Sequence, residues 1–526
     1  MQEQTSAVTG GSGAFDLRTF LGQLASADLL AVYEDNVDLA DVAPILEGNE
    51  KAVLFKSVGP ERSTLVGNVA ASRERLALAF GADLSSLLHR VLDRLRSAPG
   101  TRQVAAADAP VQEVVLTGKA ADFTALPVHL QHGLDGGPYI SSSVDVVVDP
   151  RNRLTNVGIR RLMLRGRREA GIDLVSPSDL KAIYEYQAGR GEPLPIAFII
   201  GSHPVDHVAA TMRIPVDEVG LMASLRGETL PVVKCVTNDL RVPADAEYIL
   251  EGYLDPAGHV EPEGPYGEFL GYYGGVKMNP VFHLTAITHR RDPIFQTSTI
   301  AGRQLDVTDS AQLIALRTEA TIWRALETAI REPLNVHATT SSGGMFNVRI
   351  SMRQRVPGEA HNAIAAALGS VANVKHVFVF DPDIDIFSDR QADWALATRF
   401  QADRDLVVLS GMRTLPLDPS LAGARTGSKA GFDCTMPLEI AGSLENRVPK
   451  PPTYAGKRFD SLQSALLDAP KTFEDLMAAT GSRDGREIIR AFDDLRASGR
   501  LSRTAEGRWT LIGSDAAPRD GAGRHA

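Results

Sequence analysis

The sequence predicts a multidomain α/β fold with a barrel-like β region at its centre, and three observations carry this. At roughly 150 residues per domain, a chain of 526 residues makes about three or four domains, each able to bury its own core. Between residues 119 and 308, short apolar or alternating segments follow one another with few helical stretches between them, the pattern of an antiparallel sheet that curls on itself. On either side, helical and strand-like periodicities alternate, as they do in layered α/β regions.

Residues 1–118 make the first α/β region. Apolar residues recur at helical spacing in LRTFLGQLA (17–25) and in the leucine-rich SSLLHRVLDRL (85–95), and AVLFKSVG (52–59) reads as a strand. The central region, 119–308, holds the strand candidates SSSVDVVVD (141–149), IAFIIG (196–201), VVKCVT (232–237), AEYILEGYL (246–254) and VFHLTAITH (281–289). Residues 309–445 return to alternation, with ALRTEATIWRALETAI (315–330) ahead of NVRISMR (347–353). Residues 446–457, NRVPKPPTYAGK, contain three prolines and read as a linker. In 458–515, helical patterns at Phe459–Leu467, Thr472–Ala479 and Arg486–Ala497 precede a hairpin candidate, Arg500–Thr504 with Arg508–Ile512 around Glu506-Gly507. This order resembles a winged helix. Residues 516–526 are expected to be a disordered tail.

Composition narrows the function. With 44% hydrophobic and 23% charged residues, the chain can bury cores, which excludes disorder as its main state. A formal net charge of −10 argues against broad nucleic-acid binding. Between Thr472 and Ile512, seven arginines (483, 486, 490, 496, 500, 503, 508) balance seven acids (474, 475, 484, 487, 493, 494, 506). A DNA reader is basic, so the winged-helix-like region reads as a packing or assembly element. Cys235 and Cys434 are the only two cysteines, too few for a disulfide framework or a zinc site by themselves, and read as small buried residues in a reducing compartment. Apolar runs such as Ile196–Ile200 fall far short of the roughly 18 residues that span a bilayer. The N-terminus MQEQTSAVTGGSG has no signal-peptide core. A soluble, cytoplasmic protein with no membrane partner is expected. A dinucleotide site at Thr9-Gly-Gly-Ser-Gly13 fails, because no strand precedes those glycines and no helix-opening pattern follows directly.

The chemistry concentrates in Glu263-Gly-Pro-Tyr-Gly-Glu268. Gly264, Pro265 and Gly267 break helices and fill strands poorly, so a tight turn between strands is expected, holding two carboxylates at fixed separation. One carboxylate can stay ionised beside a cation while the other, desolvated, keeps a raised pKa and delivers a proton. The same composition also suits a solvated loop.

The strings TNVGIRRLM (155–163), KCVTNDLRVPADAEYILEG (234–252), EGPYGEFLGYYG (263–274), DPDIDIFSDRQADWALATR (381–399) and GSKAGFDCTMP (427–437) together resemble the UbiD family of decarboxylases, which work with prenylated FMN. The likeness runs from about Phe15 to about Tyr454. It implies a flavin-binding function for the central barrel-like domain, oligomerisation through the third region, and a carboxy-lyase acting non-oxidatively and reversibly. The version TNVGIRR looks closer to members that act on aromatic or heteroaromatic acids. The implied chemistry is a covalent substrate–cofactor adduct, loss of CO2 and protonation by Glu268.

The resemblance also implies roles residue by residue. Arg161 would be the catalytic arginine, flanked by Glu263 and Glu268. Its neighbour Arg160 limits what spacing alone decides, since one of two adjacent strand residues points away. Ser141, Gly158, Ile159, Arg160 and Arg161 would line the flavin, and Ala209, Ala210, Thr211 and Met212 would wrap its phosphate and a monovalent cation, K⁺. Arg213 stands where a proline is often found. Asn156, Asp179 and Glu218 would hold a divalent ion, with Asn156 and Glu218 also counted as cofactor contacts. An all-oxygen set favours Mn²⁺ or Mg²⁺ over zinc. The family's second ligand is commonly histidine, and Asp179 ends Ser176-Pro177-Ser178-Asp179, which reads equally as a helix start with Ser176 as N-cap and Asp179 closing a capping box. Lys429 would reach the cofactor from the third region; outside its string it would read as a surface lysine. The implied partners are a small aromatic or heteroaromatic acid, a flavin prenyltransferase that supplies the cofactor, and further copies of this chain in a dimer or hexamer. The alternative is a catalytically silent flavin-binding or assembly protein with a regulatory winged-helix tail; the presence of Arg161, Glu263, Glu268 and Lys429 argues against it.

Overall fold

Six antiparallel strands close a barrel in the computed structural model, which describes residues 13–441 and 443–512. The tail expected at 516–526, and all of the Thr9–Gly13 run except Gly13, lie outside the described residues. Around the barrel the order is Tyr248–Leu254, Leu194–Ile200, Tyr139–Val148, Thr155–Leu164, Glu169–Ile172 and Val281–His289. The last strand pairs back onto the first in a register from Tyr248↔His289 to Leu254↔Phe282, so no edge is left open. Strand alternation sorts the side chains: Ile196, Phe198 and Ile200 cluster with Leu250, Leu254 and Phe282. The intervening Ala197 and Ile199 join Val144, Val146 and Val157 in a second core. That second core includes Val205 and Val208 of the helix Pro204–Thr211, and Leu221, Met222 and Leu225 of the helix Glu218–Arg226.

One expected barrel strand goes elsewhere. The strand expected at VVKCVT (232–237) is observed as Leu230–Lys234, in a three-stranded sheet with Thr101–Gln103 and Arg241–Pro243. Its alternation identifies a strand but says nothing of its partner, which is a long-range choice. The first sheet, Leu30–Val37, Ala52–Val58 and Ser63–Gly67, is likewise completed from far along the chain, by Ile294–Gln296 running parallel to Ser63–Gly67. That pairing delivers Thr297 and Ser298 to the barrel wall. There the Ser141 hydroxyl donates to Ser298 O at 2.8 Å and accepts from Ser298 N at 3.0 Å.

The helix Asp309–Ala329 begins directly after this crossing and is capped by Thr308, whose side chain accepts from Ala311 N. Asp309 is fully committed, accepting from Ala70 N at 2.6 Å and Thr299 N at 2.9 Å. A five-stranded mixed sheet follows, ordered Pro333–Ala338, Asn347–Met352, His376–Phe380, Thr426–Cys434 and Leu406–Arg413. All of this belongs to one compact unit, Met1–Thr435; Met436–Ala526 is a second. The second unit carries helices Leu462–Asp468, Phe473–Thr480 and Gly485–Ala497 and the hairpin Leu501–Arg503 with Trp509–Leu511. Its core is Leu466, Leu476, Ile488, Phe492 and Leu511, and capping boxes at Ser461/Ser464 and Thr472/Asp475 start its first two helices. Both cysteines are buried and free. No helix among the described residues is long and apolar enough to cross a membrane.

Candidate active site

Arg161 lies on the strand Thr155–Leu164 and meets both glutamates of the EGPYGE segment. Its Nε donates to Glu263 Oε1 at 2.9 Å, Nη2 to Glu263 Oε2 at 3.2 Å, and Nη1 to Glu268 Oε1 at 3.0 Å. The segment is not the tight turn that its composition suggests. Glu261–Glu263 pairs with Lys277–Asn279 and Tyr266–Gly267 with Tyr273–Gly274, two short ladders hinged at Gly264 (φ +98°), whose bond to Pro265 is cis. Small residues make room for the carboxylates: a Cβ at Gly274 would sit 2.6 Å from Glu268 Oε1. The Tyr266 ring lies 4.5 Å beneath the Arg161 guanidinium. From Tyr266 a hydrogen-bond chain runs through Gln131 (2.8 Å) to the Ser141 hydroxyl (2.7 Å).

Two members of this network carry no motif signal. Asp173 Oδ2 is 2.9 Å from Arg161 Nη2 and 3.2 Å from Lys277 Nζ, and Lys277 Nζ is 3.7 Å from Glu268 Oε1. Burial pushes the Asp173 carboxyl up, but Arg161 and Lys277 outweigh it and hold it below its ordinary value. Burial also works against the charge on Arg161, and the carboxylates around it outweigh that and raise its pKa. Two cations thus face three carboxyl groups, Asp173, Glu263 and Glu268. Asn279 Nδ2 donates at 3.3 Å to Glu263 Oε2, the oxygen that also accepts from Arg161 Nη2.

A second cluster stands at the start of the same strand. The helix Glu218–Arg226 is docked there by its N-cap Asp217, which accepts from Gly220 N and from Thr155 N, each at 3.0 Å. Glu218 Oε2 accepts from Asn156 Nδ2 at 2.7 Å and from Val157 N at 2.5 Å. Burial pushes the Glu218 carboxyl up to about 7 against these hydrogen bonds, and the charges of Asp179 and Asp145 push the same way. Among the described residues no arginine or lysine pairs with Glu218. Asp179 is exposed and lines the cavity with Asn156 and Glu218. Two acids that repel one another, with one amide oxygen, are donors of the kind a hard divalent ion takes. The helix start differs from expectation: Ser178, not Ser176, is the N-cap and accepts from Lys181 N, which places Asp179 at the first helical position and outside any capping box.

The two clusters face one cavity of about 560 Å³. Ser141, Gly158, Ile159, Arg160, Ala210, Thr211 and Met212 line it with Arg161, Glu268 and the Asn156 cluster. Arg160 takes the opposite strand face from Arg161, its Nε 3.8 Å from Asp145, yet both residues contribute to the cavity wall. Glu263 stands behind Arg161 and is fully buried. Two expected contacts lie elsewhere. Ala209 is buried in the helical core. Lys429 is neither at the cavity nor on the surface: it is 2% exposed, and its ammonium donates to Leu368 O at 2.8 Å and Val371 O at 3.1 Å at the end of the helix Glu359–Ser370. The carbonyls of a helix C-terminus satisfy a cation there. Apart from Arg213, the further lining residues Phe269, Arg317 and Leu415–Leu417 carry no signal in the sequence by themselves, because they gather from separate elements.

Comparison with known proteins gives three adjoining family matches. Residues 21–95, 102–304 and 311–434 match the N-terminal, Rift-related and C-terminal domains of 3-octaprenyl-4-hydroxybenzoate carboxy-lyase, UbiD. The chain is 30% identical over 438 residues to anhydromevalonate phosphate decarboxylase of Methanosarcina mazei, covering 82% of this chain and 98% of that protein. Among solved structures it is similar to the UbiD-class enzyme HmfF from Pelotomaculum thermopropionicum in complex with FMN, with 33% identity, a TM-score of 0.78 and coverage of 83% and 97%. An evolved dimeric form of that enzyme, in complex with prFMN, gives 31% identity, a TM-score of 0.75 and the same coverage, 83% and 97%. The apo 3,4-dihydroxybenzoic acid decarboxylase from Enterobacter cloacae gives 28% identity, a TM-score of 0.77 and coverage of 83% and 97%.

Proposed function

The chain belongs to the UbiD family of carboxy-lyases, and from that premise we propose that it is a non-oxidative, reversible decarboxylase of an aromatic or heteroaromatic carboxylic acid, working with prenylated FMN. The observation that carries the proposal is Glu268, a carboxyl on the cavity wall with only 6% of its side chain exposed, 3.0 Å from an arginine that is itself forked onto Glu263. When bound, prenylated FMN supplies the electron sink that lets a carboxylate leave as CO2.

The chain's residues supply orientation and a proton. Arg161, kept charged by its carboxylates, orients the substrate's own carboxylate. Glu268 gives a proton to the carbon that has lost CO2 and takes it back in the reverse direction. Glu263 and Asn279 hold the guanidinium in place. Asn156, Glu218 and Asp179 would hold Mn²⁺ or Mg²⁺, which would supply positive charge for the cofactor phosphate, and Ala210, Thr211 and Met212 would contact K⁺. Small side chains at Ser141, Gly158 and Ala210 leave the wall open to a flat ring. The reading carries two protein partners, a flavin prenyltransferase that makes the cofactor and further copies of this chain. The test is incubation of holoenzyme with a panel of aromatic and heteroaromatic acids while CO2 is followed. Release from at least one acid, dependent on prenylated FMN, is expected; full turnover with ordinary FMN overturns the mechanism, and no release from any acid overturns the function.

A further inference from the structure

The helix Asp309–Ala329 turns a stripe of Ser310, Leu313, Ile314 and Arg317 toward the cavity, at the i, i+3, i+4, i+7 spacing of one helix face. At 1.5 Å per residue Arg317 stands about 10 Å along the axis from Ser310, whose end of the helix is tied to Thr299 beside the Ser141 wall. Between the two polar ends the stripe is apolar.

Arg317, half-buried, differs from the paired arginines Arg161 and Arg226. Arg161 is paired with Glu263, and Arg226 with Asp206 at 2.6 Å and Asp245 at 2.5 Å. Among the described residues the Arg317 guanidinium has neither a carboxylate nor a hydrogen-bond partner. Arg213, an exposed residue without a side-chain partner among the described residues, lines the same cavity. Burial first and the charge of Arg213 second push the Arg317 guanidinium down to about 10; no acid is close enough to act in the other direction. Two guanidiniums that share a cavity wall without an acid between them suit an anion.

Resting on the decarboxylase reading, we propose that Arg317 and Arg213 form a subsite for a second acidic group, so that the enzyme takes its acid as a dianion. The scissile carboxylate lies at Arg161, the apolar body along Leu313 and Ile314, and a distal carboxylate or phosphate at Arg317. This selects against acids with one charge, since the two guanidiniums then stay without a partner anion.

Two readouts on holoenzyme separate this inference from the decarboxylase reading. CO2 release tests the reading; calorimetric binding tests the subsite whether or not turnover occurs. The probes are 2-furoate and 3,4-dihydroxybenzoate, each with one carboxylate, against furan-2,5-dicarboxylate and anhydromevalonate phosphate, which carry a second carboxylate and a phosphate. Wild type is expected to bind at least one two-anion probe tenfold or more tighter than the single-carboxylate probes. Which of the two it prefers identifies the distal group. Arg317→Gln should cost that probe tenfold more affinity than it costs the others, with Arg317→Lys recovering part of it and Arg213→Gln acting in the same direction. Equal affinity for all four probes overturns the subsite. So does an Arg317→Gln protein that loses bound flavin while its probe selectivity is kept, because the anion would then be the cofactor phosphate.

Discussion

Arg161 grips Glu263 by two prongs, Nε to Oε1 at 2.9 Å and Nη2 to Oε2 at 3.2 Å, and this leaves Nη1 to reach Glu268 at 3.0 Å. The planar fork is what allows one side chain to serve three contacts. A lysine carries the charge but cannot repeat that geometry.

Arg161→Lys is therefore expected to lower kcat/KM by on the order of 100-fold or more, with flavin still bound, since about 2.7 kcal/mol of positioning corresponds to that factor. Arg161→Ala leaves Glu263 buried without its cation and is expected to destabilise the fold by roughly 3–5 kcal/mol. Steady-state kinetics and denaturant unfolding of the two variants check these outcomes, and a lysine variant with wild-type kcat/KM would speak against the positioning role.

Glu218→Ala and Asn156→Ala are each expected to weaken manganese and flavin retention together, since both belong to one oxygen set. Asp179 is the discriminating residue. Ser178 caps the helix, so Ser178→Ala should cost about 1 kcal/mol of stability without changing metal content, whereas Asp179→Ala should lower metal content. An Asp179→Ala protein with full metal occupancy and lower stability would restore Asp179 to a helix-start role.

His129 predicts a loss of stability in mild acid. It is 3% exposed and its Nδ1 has no partner among the described residues. Burial first, then nearby His132, push its pKa down to about 4. An unfolded histidine titrates near 6.5, so below that pH the unfolded chain binds a proton that the folded one refuses until about pH 4. The contribution is fully present above about pH 6.5 and is lost as pH falls toward 4, at up to roughly 1.4 kcal/mol per pH unit. Urea unfolding at pH 7 and 4.5 should show His129→Asn less acid-sensitive than wild type by roughly 2–3 kcal/mol; identical acid sensitivity would contradict this.

Much of the fold is legible because strand and helix periods are local. Val281–His289 is observed with the boundaries that its alternation predicts, and all three helices of the second unit fall where their apolar spacing places them. Pairing is not local, which is why Leu230–Lys234 leaves the barrel and Ile294–Gln296 crosses to the first sheet. The site divides the same way. Arg161, Glu263 and Glu268 stand in long recognisable strings and meet. Asp173 and Lys277 join them only because short ladders of two or three residues bring separate loops together, and no spacing records that. Lys429 shows the opposite failure: its string is recognisable, yet the carbonyls that hold its ammonium belong to a helix some 60 residues earlier.

The central claim is that Glu268 moves the proton, and Glu268→Gln tests it most directly. The amide keeps the size of the side chain and can still contact Arg161 through its oxygen, but it cannot cycle a proton. The measurement is CO2 release together with solvent deuterium exchange at the carbon that loses CO2, on Glu268→Gln holoenzyme with its bound flavin quantified. Retained flavin with both CO2 release and exchange abolished is the predicted result. Wild-type rates of both would contradict the account and move the proton to another group, with Glu263 the first to be examined.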